Sequence, residues 1–337
     1  MSLLTEAEEI SDIAFGFMGS KALFAALHYG LFTHLSEGAL TAEDAGAKAG
    51  LPAERARTLL TALAALRLVS VEEGRYANSP AADAFLVQGR KYDFGDYLRL
   101  QVDRQMYKLL DQIEPALADR LPEGATGSYA DWFSDPEEAA LYSRSQHAGS
   151  IGPARGLAKL VDLSGARTLL DVGGGTGAFA ITLCKAYPEL TATIVEFPTV
   201  AALGREYVAE AGLSDRIEYV EGDGLEAAWP EGRDAVLMSY LFSGVPGEAH
   251  PRLIERAFEH LAPGGRYMVH DFVVREARDG PKLAALWQLQ HTAFTPTARS
   301  LDDGALRRDL VAAGFANVHV QPMIPGLTML ADGVKPG

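Results

Sequence analysis

From Thr168 onward the chain alternates short apolar runs with helical intervals, and this alternation limits its possible folds more than any other feature. The runs are TLLDVG, TATIVEF, RIEYVEGD, DAVLMSYLF and RYMVHDFVV, each separated from the next by a helical interval. Such a repeat builds a parallel sheet covered by helices on both faces. The end departs from it. NVHVQPMIPGLTMLADGV reads as two strands turning at Pro325-Gly326, an antiparallel hairpin with no helix between. The expected class is therefore α/β, a doubly wound sheet with a C-terminal antiparallel hairpin, spanning residues 161–337.

Ahead of it, residues 1–95 predict a mainly helical module. Helices with apolar spacing occupy residues 9–36, interrupted by Gly16, Gly19 and Gly30. Thr41 with Asp44 resembles a capping box, Gly50 ends a short helix and Pro52 opens the next. That second helix carries Leu59, Leu60, Leu63 and Leu66, and VSVEEGRY follows as a small hairpin. The pattern is that of a winged helix. Its second helix offers only Arg55, Arg57 and Arg67, and the whole chain carries a net charge of −15. Phosphate backbones are repelled by such a surface, so a protein–protein role is expected and a nucleic-acid partner is not. Residues 96–160 read as linking helices that contribute to a substrate pocket, with breaks at Pro115 and in PEGATGS. The solitary Cys184 suits a reducing compartment, the amino terminus is acidic where a signal peptide would be basic, and no apolar stretch is long enough to span a bilayer. The expectation is a soluble, cytoplasmic protein with no membrane partner and no metal site.

LLDVGGGTGAFA (169–180) runs from a strand, through glycines, into a helix. Glycine permits positive φ and close approach of a ligand to the backbone. As a bare pattern, Gly173, Gly175 and Ala178 with Glu196 satisfy a Rossmann-like dinucleotide fingerprint. Three carboxylates shift the choice toward S-adenosyl-L-methionine (SAM). Asp171 precedes the loop, where a pyrophosphate would meet negative charge but a methionine ammonium would be welcome, through water. Glu196, in VEFP, is placed for the ribose hydroxyls, and Asp223, in EGDGL, for the adenine amino group. Either of the latter could instead cap a helix.

The segments DVGGGTGAFA, VEFP, EGDGL and LAPGGRYMVHD resemble those of class I methyltransferases, specifically the O-methyltransferase type with an N-terminal winged-helix dimerisation domain. The resemblance covers essentially the whole chain. It implies a homodimer intertwined through the winged module, SAM as cofactor and S-adenosyl-L-homocysteine as product. It places the cofactor on Gly173, Gly175, Glu196, Asp223 and Gly224, with Phe197 and Leu225 packing on the adenosine and with Ser239 and Tyr240 at the fourth strand tip.

The resemblance also implies a Lys near that tip and a His-Asp-Trp triplet whose His deprotonates the substrate. Here the corresponding positions hold Ser239 and Ser243-Gly244-Val245, so the base is missing. A phenol, with a pKa near 10, benefits from a general base at neutral pH; a thioether has no proton to lose. The expected acceptor is accordingly a sulfide sulfur attacked in line, without a base. The segments SDIAFGFMGSKALFAALH and YDFGDYLRLQVDRQMYKLLDQIEPAL are similar to bacterial S-methyltransferases of the DsyB type, which act on 4-methylthio-2-hydroxybutyrate in dimethylsulfoniopropionate synthesis. For such a substrate Tyr107, Tyr142 and Trp287 would wall the sulfonium and thioether. His147, His291 or Arg144 would hold the carboxylate or hydroxyl, with Arg104, Gln146, Gln290 and Phe294 completing the pocket. Trp287, Gln290, His291 and Phe294 follow i, i+3, i+4, i+7 spacing and share one helical face. The alternative within enzymes is an O-methyltransferase acting on a phenolic or polyketide natural product, with His147 or His291 as base.

Overall fold

In the computed structural model, which describes residues 3–121, 136–295 and 297–337, the chain forms two units bounded by Met1–Met106 and Tyr107–Gly337. The first unit begins with α1 (Ala7–Ala14), α2 (Gly16–His28) and α3 (Leu31–Leu35). Gly30 breaks the chain between α2 and α3 at φ +63°. Gly19 does not interrupt α2; a Cβ there would come 3.3 Å from the Leu66 side chain, so its smallness serves packing. Next come β1 (Leu40–Thr41), α4 (Ala42–Ala49), α5 (Ala53–Ala65), β2 (Val69–Glu72), β3 (Arg75–Asn78) and α6 (Pro80–Phe85). The Thr41 hydroxyl accepts the Asp44 N–H at 3.1 Å and starts α4, and Gly50 closes it in the left-handed region. The strands pair in the order β1-β3-β2, giving the helix pair and wing that the sequence suggests. Leu60 and Leu63 are fully buried with Phe32, Leu35 and Tyr76, whereas Leu66, just past α5, is exposed. The unit ends in a π-helical segment, Tyr97–Met106, whose Asp103 bonds Lys21 and, at 3.0 Å, His28 on α2.

The second unit opens with α7 (Tyr107–Leu109), a 3₁₀ turn (Leu110–Gln112) and α8 (Ile113–Leu117). Pro115 does not break this run. It lies in the first turn of α8, where a missing N–H costs nothing because no intrahelical acceptor exists for it. The PEGATGS stretch lies outside the described residues. α9 (Pro136–Leu160) leads into β4 (Thr168–Val172), α10 (Ala178–Ala186), β5 (Thr191–Glu196), α11 (Pro198–Glu210), β6 (Ile217–Glu221) and β7 (Arg233–Ser239). α12 (Ala249–His260), β8 (Leu261–Asp271), α13 (Lys282–Phe294), α14 (Asp303–Ala312), β9 (Ala316–Ile324) and β10 (Thr328–Val334) complete it.

The sheet order is β6-β5-β4-β7-β8-β10-β9. β4 to β8 run parallel, and β10 is antiparallel to both β8 and β9. The terminal hairpin therefore inserts its second strand beside β8. Neighbouring strand residues serve opposite faces: Leu169, Leu237 and Met268 pack with α9 and α10, while Leu170, Met238 and Val269 pack with α12 and α14. Both faces of the central strands are covered, which is why β4, β5 and β7 are mostly apolar, whereas the edge strands β6 and β9 carry exposed polar residues.

One sequence expectation fails here. No helix separates β6 from β7. The crossover is instead held by the Arg256 guanidinium, which donates to the carbonyls of Gly224 (3.2 Å), Leu225 (2.5 Å) and Ala227 (2.6 Å). The same group lies 3.9 Å from the centre of the Trp229 ring, so a cation–π contact and three carbonyls replace a helix as the support.

Candidate active site

The C-terminal tips of β4, β5, β6 and β7 surround a cavity of about 260 Å³, the usual place for a ligand in an open α/β sheet. The glycine loop after β4 forms its floor. Gly173, Gly175 and Gly177 take φ of +67°, +58° and +82°, which side-chain-bearing residues rarely adopt. Gly174 is required for another reason. A Cβ there would stand 2.6 Å from the Asp171 carboxyl carbon, so the loop lies directly over that acid.

Asp171 is fully buried, and neither carboxylate oxygen has a hydrogen-bond partner. Burial pushes it up to about 7, and the charge of Glu196 adds to the rise. Glu196, at the tip of β5, accepts the Gly175 N–H at 2.9 Å and the Phe197 N–H at 2.7 Å. Burial also carries Glu196 up to about 7 against those two bonds. Asp223 lines the cavity and accepts the Leu225 N–H at 2.8 Å, so it caps its own turn while facing the ligand space. Two buried acids sharing one loop, one of them unpartnered, suit a ligand bearing ammonium and diol groups. The residues present fit SAM.

Every sequence-derived cofactor position except Asp171 borders this cavity: Gly173, Gly175, Glu196, Phe197, Asp223, Gly224, Leu225, Ser239 and Tyr240. Ser239 Oγ lies 2.8 Å from His270 Nδ1. Tyr240 is held at φ +59°, strain of about 1–3 kcal/mol for a bulky residue. Its N–H donates to the His270 carbonyl at 2.8 Å, and its ring meets that imidazole edge-on at 4.5 Å. Burial lowers His270 to about 3, so it is neutral.

α9 supplies one wall through Tyr142, Gln146 and His147, which share a face, along with Ser143 and Ser150. Gln146 Nε2 donates to the Tyr142 hydroxyl at 3.0 Å. His147 Nδ1 is 2.7 Å from Thr176 Oγ1 in the glycine loop, and its ring stacks on Tyr207 at 3.8 Å and 12°. Burial, with Lys185 assisting, lowers His147 to about 4. Arg144 falls on the opposite face of α9. It is exposed and does not line the cavity. Arg104 is exposed as well, on the π-helical segment of the first unit, and Tyr107 is half-buried at the start of the second.

α13 brings Trp287, Gln290, His291 and Phe294 together as the spacing predicts; Gln290, His291 and Phe294 are buried. Trp287 stacks on Phe272 at 4.6 Å and 13°, and Phe272 in turn packs 5.1 Å from Tyr240. A continuous ring wall thus joins α13 to the strand tip at the cofactor cavity. Gln290 Oε1 is buried without a partner. His291 Nδ1 lies 2.9 Å from the Trp287 carbonyl, and burial brings His291 down to about 4 against that bond. Sequence reasoning missed Thr176, His270, Asp271 and Phe272. The last three stand consecutively in RYMVHDFVV, where two ionisable residues ending an apolar run are the available signal. Asp271 is fully buried and accepts the N–H groups of Ser243 (3.0 Å) and Phe272 (2.7 Å), so it fixes the turn after β7.

Residues 106–316 match the family described as the O-methyltransferase domain, and residues 11–88 match the O-methyltransferase dimerisation domain. The chain is 31% identical to 3-hydroxy-5-methyl-1-naphthoate 3-O-methyltransferase of Streptomyces sahachiroi, covering 97% of this chain and 94% of that one. It is 30% identical to N,N-dimethyltransferase OxyT of Streptomyces rimosus, covering 93% and 91%. The solved structure of PigF with S-adenosylhomocysteine is similar at a TM-score of 0.83 and 25% identity, over 98% of this chain and 100% of that one. Glycine loop, paired acids, sheet order and sequence agree: the chain belongs to the O-methyltransferase family and is a SAM-dependent methyltransferase.

Proposed function

We propose that this enzyme methylates an oxygen of a phenolic or polyketide-derived acceptor. The observation that carries the reading is the match of residues 106–316 to the O-methyltransferase domain, with two buried imidazoles, His147 at the cofactor cavity and His291 in a cavity beside Ser243, available in place of the missing base. The triplet Ser243-Gly244-Val245 supplies no base, yet the site does not lack one. When bound, SAM supplies an electrophilic methyl group on a sulfonium. The protein's own part is to align the acceptor oxygen, keep water away with the Tyr240–Phe272–Trp287 wall, and take the hydroxyl proton as the bond forms. One relative, named for an oxygen of a hydroxynaphthoate, supports an acceptor of this kind, while another is named for methylation at nitrogen. The dimerisation-domain match supports a homodimer.

A second reading, S-methylation of a thioether acid such as 4-methylthio-2-hydroxybutyrate, is favoured by one observation, the triplet without a base. The arginines expected to hold its carboxylate do not line the cavity, a gap that an acidic phenol such as a hydroxynaphthoate shares. Among the described residues lining the cofactor cavity there is no Lys or Arg, and Arg104 and Arg144 are exposed. The DsyB-type likeness gains nothing from the named relatives. Turnover of 3-hydroxy-1-naphthoate and of 4-methylthio-2-hydroxybutyrate, followed by S-adenosylhomocysteine release, separates the two. The oxygen reading expects the phenol to be used and the thioether acid to be inert; the reverse result rejects it.

A further inference from the structure

We propose that His291 is the proton acceptor of the reaction, reaching the acceptor hydroxyl through its Nε2 from a small polar cavity that it shares with Ser243. The inference rests on the oxygen-acceptor reading and adds to it the identity and tautomer of the base. The cavity measures about 60 Å³ and is bordered by Ser243, Gln288, His291, Thr292, Arg299 and Ser300. By the measure of roughly 10–15 Å³ for one water, it has room for a hydroxyl group and a few waters.

The tautomer follows from one bond. The Trp287 carbonyl can only accept, so the nitrogen 2.9 Å from it, Nδ1, carries the hydrogen. Nε2 is left with its lone pair. The neighbours do not compete for it by charge. Arg299 is bonded to Asp309 at 3.1 Å. Gln288 is turned away, donating to the carbonyls of Phe272 and Leu301, both at 2.7 Å, and accepting the Ser300 hydroxyl. The elements packed against α13 are Tyr107–Leu109, Leu110–Gln112, Ile113–Leu117 and Phe242–Gly244, and their titratable groups are Tyr107, Lys108, Asp111 and Glu114. None of them is a source of the His291 shift, which arises from burial opposed by the Trp287 bond.

His147 is less suited. Its Nδ1 is engaged by Thr176 and its ring is pinned flat on Tyr207, so it serves the glycine loop and the cofactor. His291 belongs to the other wall. Its ring centre is 6.0 Å from that of Phe272, which packs against Tyr240 at the cofactor cavity. In the step itself, the acceptor O–H bond breaks as the O–CH₃ bond forms. The proton moves to Nε2, the oxygen lone pair takes the methyl carbon, and the C–S electrons stay on sulfur. The resulting imidazolium, buried and without a counter-charge, then returns its proton to solvent.

Three proteins test this with 3-hydroxy-1-naphthoate as probe: wild type, His291→Gln and His147→Gln. The expected result for His291→Gln is a fall in kcat of about 10²–10⁴-fold with unchanged SAM affinity. His147→Gln is expected to weaken SAM binding instead. Adding Ser243→His to His291→Gln places an imidazole at the same cavity and is expected to restore kcat by about tenfold or more. A second measurement needs neither variant nor acceptor. Nitrogen-15 spectra of wild-type histidine side chains should show His291 neutral at pH 7 with the hydrogen on Nδ1. Unchanged kcat in a folded, SAM-binding His291→Gln protein overturns the proposal, as does an Nε2–H tautomer or an imidazolium at pH 7. Failure of the oxygen reading looks different: wild type would use the thioether acid and ignore the phenol.

Discussion

Asp171 and Glu196 stand nearly side by side under one glycine loop, and both are displaced upward to about 7 by burial in the ligand-free protein. A cationic ligand favours their ionised forms, so binding below that range must expel protons. SAM affinity is therefore expected to rise with pH up to about 7, by at most about tenfold per unit for each proton released, and to level off above it. Calorimetry in buffers of different ionisation enthalpy checks this; proton release at pH 6 and none at pH 8 is the expected pair of results. Asp171→Asn keeps the shape but removes the charge. Because Asp171 lies beneath Gly174 and acts on the ligand through its charge, the change should weaken SAM binding by up to about tenfold, roughly 1.4 kcal/mol. At this scale the sequence was informative where spacing along the chain fixes position, as for Gly173, Glu196 and Asp223. It was silent on Asp171's distance from the cavity, because a residue one step before a loop can lie beside a ligand or beneath the backbone that holds it. Here it lies beneath Gly174.

Among elements, α13 shows what periodicity can and cannot tell. The shared face of Trp287, Gln290, His291 and Phe294 is a consequence of helical spacing and was legible. What that face meets depends on Phe272, which arrives from β8 and leaves no trace in the local pattern. Trp287→Ala removes the stack on Phe272 and the wall continuous with Tyr240. A loss of about 1–3 kcal/mol in urea unfolding is expected for this half-exposed ring, together with a sharp fall in turnover. Intact turnover would place Trp287 outside the site. α9 gives the complementary lesson. Tyr142, Gln146 and His147 were expected in the pocket and border it, yet Arg144, drawn from the same segment, is exposed on the far side. Rotation of a polar helix about its axis is set by tertiary packing, and several of its faces carry polar residues. The missing helix between β6 and β7 has a similar origin, since the Arg256 side chain that replaces it comes from α12, some thirty residues later in sequence.

For the molecule as a whole, the parallel sheet covered on both faces and the terminal antiparallel hairpin follow from the alternation of apolar strands and helices and are legible in the sequence, whereas the strand order β6-β5-β4-β7-β8-β10-β9 is not. The first unit carries the remaining prediction. α1 buries none of its residues, and Ile10, Ile13, Phe15, Phe17 and Met18 are exposed along α1 and the start of α2. With a dimerisation domain matched from residue 11, this apolar surface is expected to be covered by a second copy. Ile13→Asp combined with Phe17→Asp should convert the dimer to monomers in sedimentation velocity while leaving the second unit folded.

The acceptor atom remains the centre of the account, and it can be observed directly. Turnover of SAM carrying a carbon-13 methyl group, with hydroxynaphthoate and thioether acid present together, can be followed by carbon–proton correlation spectra of the products. A labelled methyl correlated to an aromatic carbon through oxygen is the predicted result. Label found solely on the sulfur of the thioether acid would contradict it.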